Sequence, residues 1–150
     1  MIKVQEQAFD VGAEIAAIKL GKTQIGGTAI FVGTVRDLND GKGVSALTLE
    51  HYPGMTDKAL AAIEADARTR WALEDVLIVH RVGRMEPGDD VVLVICCSAH
   101  RQNAFDACQF LMDYLKTKAP FWKLEEGDGE ASWVDARESD DTAAERWTKT

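Results

Sequence analysis

The chain has 150 residues, 46% of them hydrophobic and 28% charged, with a net charge of −8. That length and balance suit one soluble globular domain over 1–150 with a sizeable core, and the acidity argues against a nucleic-acid-binding surface. No apolar run approaches the roughly 20 residues that span a bilayer, and the opening MIKVQEQAFD has no signal-peptide pattern, so the expected location is cytoplasmic. The three cysteines, Cys96, Cys97 and Cys108, are odd in number and include a vicinal pair inside an apolar run, which does not make a disulfide framework. Neither CxxC nor HExxH occurs, and His51, His80 and His100 lie far apart, so no metal site is expected.

In chain order, Ile2 to Val4 reads as a short edge strand. Asp10 is placed to cap a helix whose apolar residues are Ile15, Ile18 and Leu20, with Gly21 as its stop. Thr28 to Val35 is rich in β-branched and apolar residues and predicts a central strand. It ends at Arg36, and DLNDGKG follows as a mobile loop. Arg36 thus sits where a strand meets a loop, a common seat for a binding residue. Ala46 to His51 alternates, with Leu47 and Leu49 on one face, and predicts a strand. Tyr52-Pro53-Gly54 makes a turn, after which Thr56 caps a helix that buries Ala59, Leu60, Ile63 and Ala67 and ends near Trp71. Val76 to Val79 is a strand, and His51 and His80, at strand ends, read as structural. Arg81 to Asp90, with Gly83, Pro87 and Gly88, is a turn-rich connection.

The segment from Val91 to Lys123 organises the rest. Val91 to Cys97 is a core strand. A helix follows, capped by Ser98 or Asn103, with Phe105, Cys108, Leu111, Met112 and Leu115 on its packed face. Pro120 disfavours helix at Ala119, so the helix should end around Thr117. Between residues 98 and 123 there are four basic residues (Arg101, Lys116, Lys118, Lys123) against two acidic ones (Asp106, Asp113), a basic island in an acidic chain. His100 and Arg101 fall at the strand-to-helix junction, where unpaired backbone N–H groups favour an anion. Solvated helix-end charge is the plainer reading of each residue taken singly. Lys116 and Lys123 are seven apart with a proline between them, so their ammonium groups are expected to converge on one pocket. A lysine among other cations has a lowered pKa and can serve as acid, base or nucleophile. After Lys123 the chain turns acidic; Gly127 and Gly129 break it, Trp133 and Val134 suggest a short strand, and Asp140 or Asp141 caps a last helix reaching Trp147. Alternation of strands and helices favours a layered α/β sandwich.

Four stretches, HYPGMT at 51–56, SAHR at 98–101, MDYLKTKAPFWK at 112–123 and WVDARESD at 133–140, fall in order along nearly the whole chain. In them the sequence resembles the large, catalytic subunit of molybdopterin synthase. The resemblance implies an α+β fold, an α/β hammerhead-like sandwich with an additional small antiparallel β subdomain. It implies a sulfurtransferase of molybdenum cofactor biosynthesis that converts cyclic pyranopterin monophosphate to molybdopterin. The sulfur would come from the C-terminal Gly-Gly thiocarboxylate of a small ubiquitin-like carrier subunit. The implied assembly is a homodimer of large subunits within a heterotetramer, and no metal or organic cofactor is needed for the transfer.

By the same resemblance Lys116 and Lys123 are the catalytic lysines, Lys116 beside the thiocarboxylate carbon and Lys123 toward the substrate. Thr34, Val35, Arg36, His100, Arg101, Leu124, Glu125 and Arg137 are the substrate-binding residues. Arg36, His100 and Arg101 would anchor the phosphate, and Arg137 would reach the pocket of the other copy, an ion pair with Asp135 or Glu138 being its plainer role. Some relatives carry lysine where this chain has Thr34, and many a basic residue in place of Leu124. The competing reading is a non-catalytic docking module for a ubiquitin-like partner. A phosphatase ranks last, because that class needs a metal or an activated nucleophile.

Overall fold

The run of apolar residues at 91–97 becomes the most deeply buried strand of a mixed α+β structure, and the other elements are arranged about it. The computed structural model describes residues 1–39, 41–127, 130–134 and 138–148. In chain order the elements are β1 (Ile2–Gln5), α1 (Val11–Lys19), β2 (Gly27–Thr34), β3 (Leu38–Asn39), β4 (Lys42–Gly43), β5 (Ala46–His51) and α2 (Met55–Arg70). There follow β6 (Asp75–Arg81), β7 (Gly83–Met85), β8 (Asp90–Ser98), α3 (Arg101–Lys118), β9 (Phe121–Gly127), β10 (Glu130–Val134) and α4 (Glu138–Glu145).

Two four-stranded sheets result. The first has the order β1-β6-β8-β2, with β1 parallel to β6 and the other pairs antiparallel. The second, β10-β9-β5-β7, is antiparallel throughout. Alternation along β8 sends Val92, Val94 and Cys96 into a core shared with Leu60, Ile63 and Ala67 of α2 and Ala107, Phe110 and Leu111 of α3. Leu93, Ile95 and Cys97 go to the opposite face, under Ile18 of α1 and the partly buried Phe9, Val11 and Ile15. A strand covered on both faces has no polar side, which is why the run is continuous rather than alternating.

Several local expectations are corrected. Residues 28–35 do not form a central strand: β2 is the edge of its sheet, and Ile30 and Phe31 are 40% and 41% exposed. DLNDGKG contains the short β3–β4 pair, with Gly41 at φ 77°. The pair is held against β9, where a Cβ at Gly127 would collide with the Gly43 carbonyl. Asp10 does cap α1, accepting from Ala13 N at 2.9 Å, but Leu20 lies outside the helix and 82% exposed. Thr56 is not the cap of α2, which begins after Gly54 at φ 86°. Instead its buried Oγ1 accepts from Tyr52 N at 3.2 Å and donates to the Pro120 carbonyl at 3.4 Å, tying the start of α2 to the end of α3.

Neither Ser98 nor Asn103 caps α3; His100 holds that position without a side-chain bond. Ser98 Oγ donates to Ala72 O at 2.8 Å and accepts from His100 N at 3.3 Å. Phe105, assigned to the packed face, is 61% exposed. The connection 81–90 contains β7, and the chain beyond Pro120 continues as the β9–β10 hairpin. The last helix begins at Glu138, so Asp140 and Asp141 lie inside it. Trp147 docks it to α3, donating from Nε1 to the buried Asp113 carboxylate at 2.7 Å. Among the described residues no helix is long and apolar enough to cross a membrane.

Candidate active site

Where the two sheets part, beside the last turn of α3, they enclose a cavity of about 370 Å³. Its floor is the inner face of the second sheet. Period-2 alternation puts Phe121, Lys123 and Glu125 of β9 on that face beside Leu49 and Leu47 of β5, with Lys123 opposite Leu49 in register. The same alternation sends Trp122, 42% exposed, to the outer face. One wall is the end of β2 with the residues that follow it, Thr34, Val35 and Arg36. The facing wall is Leu115 and Lys116 of α3, and Asp140 of α4 also lines the space.

Backbone bonds make these walls firm. Val35 N donates to Asp89 O at 2.9 Å, Gly88 N donates to Val35 O at 2.8 Å, and the Val35 side chain is buried with Leu49 and Met85. Arg36 therefore projects from a fixed base. Thr34 Oγ1 donates to Asp90 Oδ1 at 2.9 Å. Asn39 Nδ2 donates to Glu125 Oε1 at 2.6 Å, which fastens the β3–β4 hairpin to the cavity rim. Three cationic side chains, Arg36, Lys116 and Lys123, thus meet two carboxylates, Glu125 and Asp140, in a chain whose net charge is −8.

His80, which the sequence presents only as a polar residue closing an apolar strand, is part of this lining. It is 5% exposed, its ring stacks on Phe121 at 3.9 Å and 19°, and its Nδ1 lies 2.9 Å from the Arg81 carbonyl. A carbonyl only accepts, so Nδ1 carries the proton. Burial pushes the His80 pKa down to about 4, with the charges of Lys116 and Lys123 adding to the effect and the Arg81 carbonyl opposing it. The imidazole is neutral across the physiological range. Sequence offered no sign of this beyond a histidine at a strand end.

The residues named from sequence divide. Lys116, Lys123, Thr34, Val35, Arg36 and Glu125 line the one cavity. The expected gathering of His100 and Arg101 with them does not occur within one copy: both are exposed at the start of α3. An 18-residue helix is about 27 Å long, so its first residues lie far from Lys116 on its last turn. Leu124 does not line the cavity, because alternation turns it away from the face that carries Lys123 and Glu125. Arg137 lies outside the described residues.

All three cysteines are free and buried. The Cys96 thiol is pushed up by its hydrogen bond with Cys108 and by burial, and the Cys97 thiol by burial. Neither is an activated nucleophile. Among the described residues no group of three or more His, Cys, Asp or Glu side chains is placed to hold a metal ion.

Residues 4–118 match the family model described as MoaE protein. The chain belongs to the MoaE family. The molybdopterin synthase catalytic subunit of Ralstonia nicotianae is 59% identical over 146 residues, 97% of this chain and 83% of its own length. A molybdopterin biosynthesis MoaE protein from Burkholderia ambifaria superposes with a TM-score of 0.85 at 53% identity, covering 99% of this chain and 97% of its own. Molybdopterin synthase from Staphylococcus aureus superposes at 0.82 with 26% identity, over 89% of this chain and 96% of its own. The family model spans the strand, helix and lysine wall of the cavity up to Lys118, and the longer relatives extend the match across Lys123.

Proposed function

We propose that this chain is the catalytic subunit of a molybdopterin synthase and that the cavity between its sheets is where sulfur transfer occurs. As an enzyme of molybdenum cofactor biosynthesis it converts cyclic pyranopterin monophosphate to molybdopterin. The sulfur arrives as a thiocarboxylate on the Gly-Gly tail of a small ubiquitin-like carrier. The observation that carries this reading is the meeting of Lys116 of α3, Lys123 of β9 and Arg36 of the segment after β2 in one partly apolar cavity. Apolar walls such as Leu49 and Phe121 admit a glycine tail. The cations hold the phosphate and the charge that develops on the thiocarboxylate during transfer. Lys116 acts beside the thiocarboxylate carbon and Lys123 toward the pterin, with Thr34, Val35 and Glu125 shaping the substrate side.

His100 and Arg101 belong to the same reading only if a second copy brings them to the phosphate, since one helix separates them from Lys116. The exposed edge of β2, with Ile30 and Phe31, starts beside Arg101 and supports a homodimer inside a heterotetramer with two carriers. Arg137 of the second copy is assigned to the same pocket, and Leu124 contributes through its backbone. The chain is taken as one domain over 1–150, hammerhead-like with the second sheet as its antiparallel subdomain, and as cytoplasmic.

A docking module for a ubiquitin-like partner explains the apolar walls but gives no reason for three cations lining the same space. The two readings part in a single-turnover assay with thiocarboxylated carrier and cyclic pyranopterin monophosphate. Lys116→Ala should lower product formation by about a thousandfold while carrier binding is retained. Equal product from wild type and variant would remove Lys116 from the chemistry, and carrier binding without product from either would favour the docking module.

A further inference from the structure

Glu125 is fixed twice over. Its backbone lies in the middle of the second sheet, opposite Leu47 of β5 and Ser132 of β10. Its side chain is then held by Asn39, whose Nδ2 donates to Oε1 at 2.6 Å. Opposite a carboxylate only the nitrogen of an amide can face, so the orientation of the Asn39 carboxamide is set. Both side chains line the cavity. The β3–β4 hairpin is also docked by other bonds. Ser45 N and Oγ donate to the Glu126 carbonyl at 2.6 and 2.9 Å, and the Gly43 carbonyl fits against Gly127, where no Cβ stands in its way. Ser45, Gly43, Glu126 and Gly127 stand outside the cavity lining. The Asn39–Glu125 bond is the tie made where a ligand would lie.

A carboxylate in this cavity has a cost. It subtracts from the attraction that Arg36, Lys116 and Lys123 offer a phosphate, unless it accepts N–H groups of the same ligand. Asn39 is a neutral donor: it fixes the carboxylate without cancelling its charge and takes one of about four acceptor positions. A pterin carries neighbouring ring and exocyclic N–H donors, which a fixed carboxylate accepts side by side. We propose that Asn39 is a positioning residue of this site, which aims the Glu125 carboxylate at the N–H donors of the pterin ring, so that the pair selects the heterocycle while the cations hold the phosphate. This rests on the substrate named in the proposed function and not on the sulfur-transfer step.

The test is equilibrium binding of cyclic pyranopterin monophosphate, by calorimetry, to the wild-type protein, Asn39→Ala, Glu125→Gln and the double variant, with inorganic phosphate titrated separately. Loss of the aimed acceptor should raise the Kd for the pterin about tenfold in Asn39→Ala and leave the Kd for inorganic phosphate unchanged. Glu125→Gln should weaken the pterin at least as much. In the Glu125→Gln background Asn39→Ala should then add less than about twofold, because Asn39 acts through that carboxylate. A pterin Kd unmoved by Asn39→Ala, an equal loss of inorganic phosphate, or losses that multiply in the double variant overturns the proposal. Asn39→Asp keeps the shape and sets a second carboxylate against Glu125, so it should weaken the pterin more than alanine does, and it serves if the alanine variant does not fold. Wild-type affinity in Asn39→Asp, or a wild-type protein that binds no pterin, also overturns the proposal. A wild type that binds the pterin, weakens with Asn39→Ala as described and yet makes no product in single turnover would sink the sulfur-transfer reading and leave the role of Asn39 standing.

Discussion

The two sheets are built from similar residues and do different work. The first is covered on both faces, by α2 and α3 on one side and α1 on the other, and its strands β6 and β8 are almost wholly buried. The second is covered on its inner face only. Its outer face carries Trp122 and Trp133, 42% and 56% exposed, and its inner face is left unfilled where β9 brings Lys123 and Glu125 toward α3. Close packing fills both faces at the centre of the first sheet, whose strands border the cavity only at one end. The gap over the second is where the reactive side chains collect. Stability is concentrated in one sheet, and the candidate chemistry uses the seam between the two.

Breaking the packed side should give the largest change in stability. Phe110 has no exposed surface and meets the rings of Trp71, Tyr114 and Trp147, so it also anchors the last helix. Phe110→Ala should cost about 3–5 kcal/mol, read as a lower midpoint in urea. A loss under 1 kcal/mol would mean the core of the first sheet is not what holds the molecule together.

The seam responds to pH. His80 titrates near 6.5 in the unfolded chain and near 4 in the folded one. Above the unfolded value both states hold a neutral ring and the contribution is fully present. As pH falls the unfolded chain takes up the proton first, so stability is lost across that window by about 3 kcal/mol and levels off below it. The stability difference between wild type and His80→Gln should therefore move against the wild type as pH falls from 6.5 to 4. A difference that stays constant would place His80 in contact with solvent.

The smallest effect belongs to the rim of the second sheet. Asn39→Ala removes the donor to Glu125 and should cost about 1 kcal/mol. The loss should appear as faster amide exchange in the β3–β4 hairpin with β6 and β8 unchanged. Faster exchange in β8 as well would show that the two sheets do not behave separately.

Which parts were legible follows from the same division. The continuous run at 91–97 and the helical spacing of Leu111, Met112 and Leu115 describe burial, and burial is what an apolar pattern reports. An apolar pattern does not report neighbours. Thr28 to Val35 is as β-branched as a central strand, yet it lies at the edge of its sheet, and among the described residues Ile30 and Phe31 stay 40% and 41% exposed. Lys116 and Lys123 meet as the spacing across Pro120 suggested, since the chain reverses there into β9. His100 and Arg101 stand apart from Lys116 within one copy for a related reason: closeness along the sequence becomes a whole helix length in space. The surroundings of His80 are not legible in the sequence, because Phe121, on which its ring stacks, comes from a later element that no local pattern connects to it.

The central claim is that sulfur changes hands in the cavity between the sheets. The most direct measurement follows isotopically labelled sulfur from the carrier thiocarboxylate in a single turnover with the wild-type chain and with Lys116→Ala. Labelled dithiolene from the wild type, with the label still on the carrier in the variant, is the predicted result. Label that never leaves the carrier in the wild type, although carrier and pterin are both bound, would contradict the account.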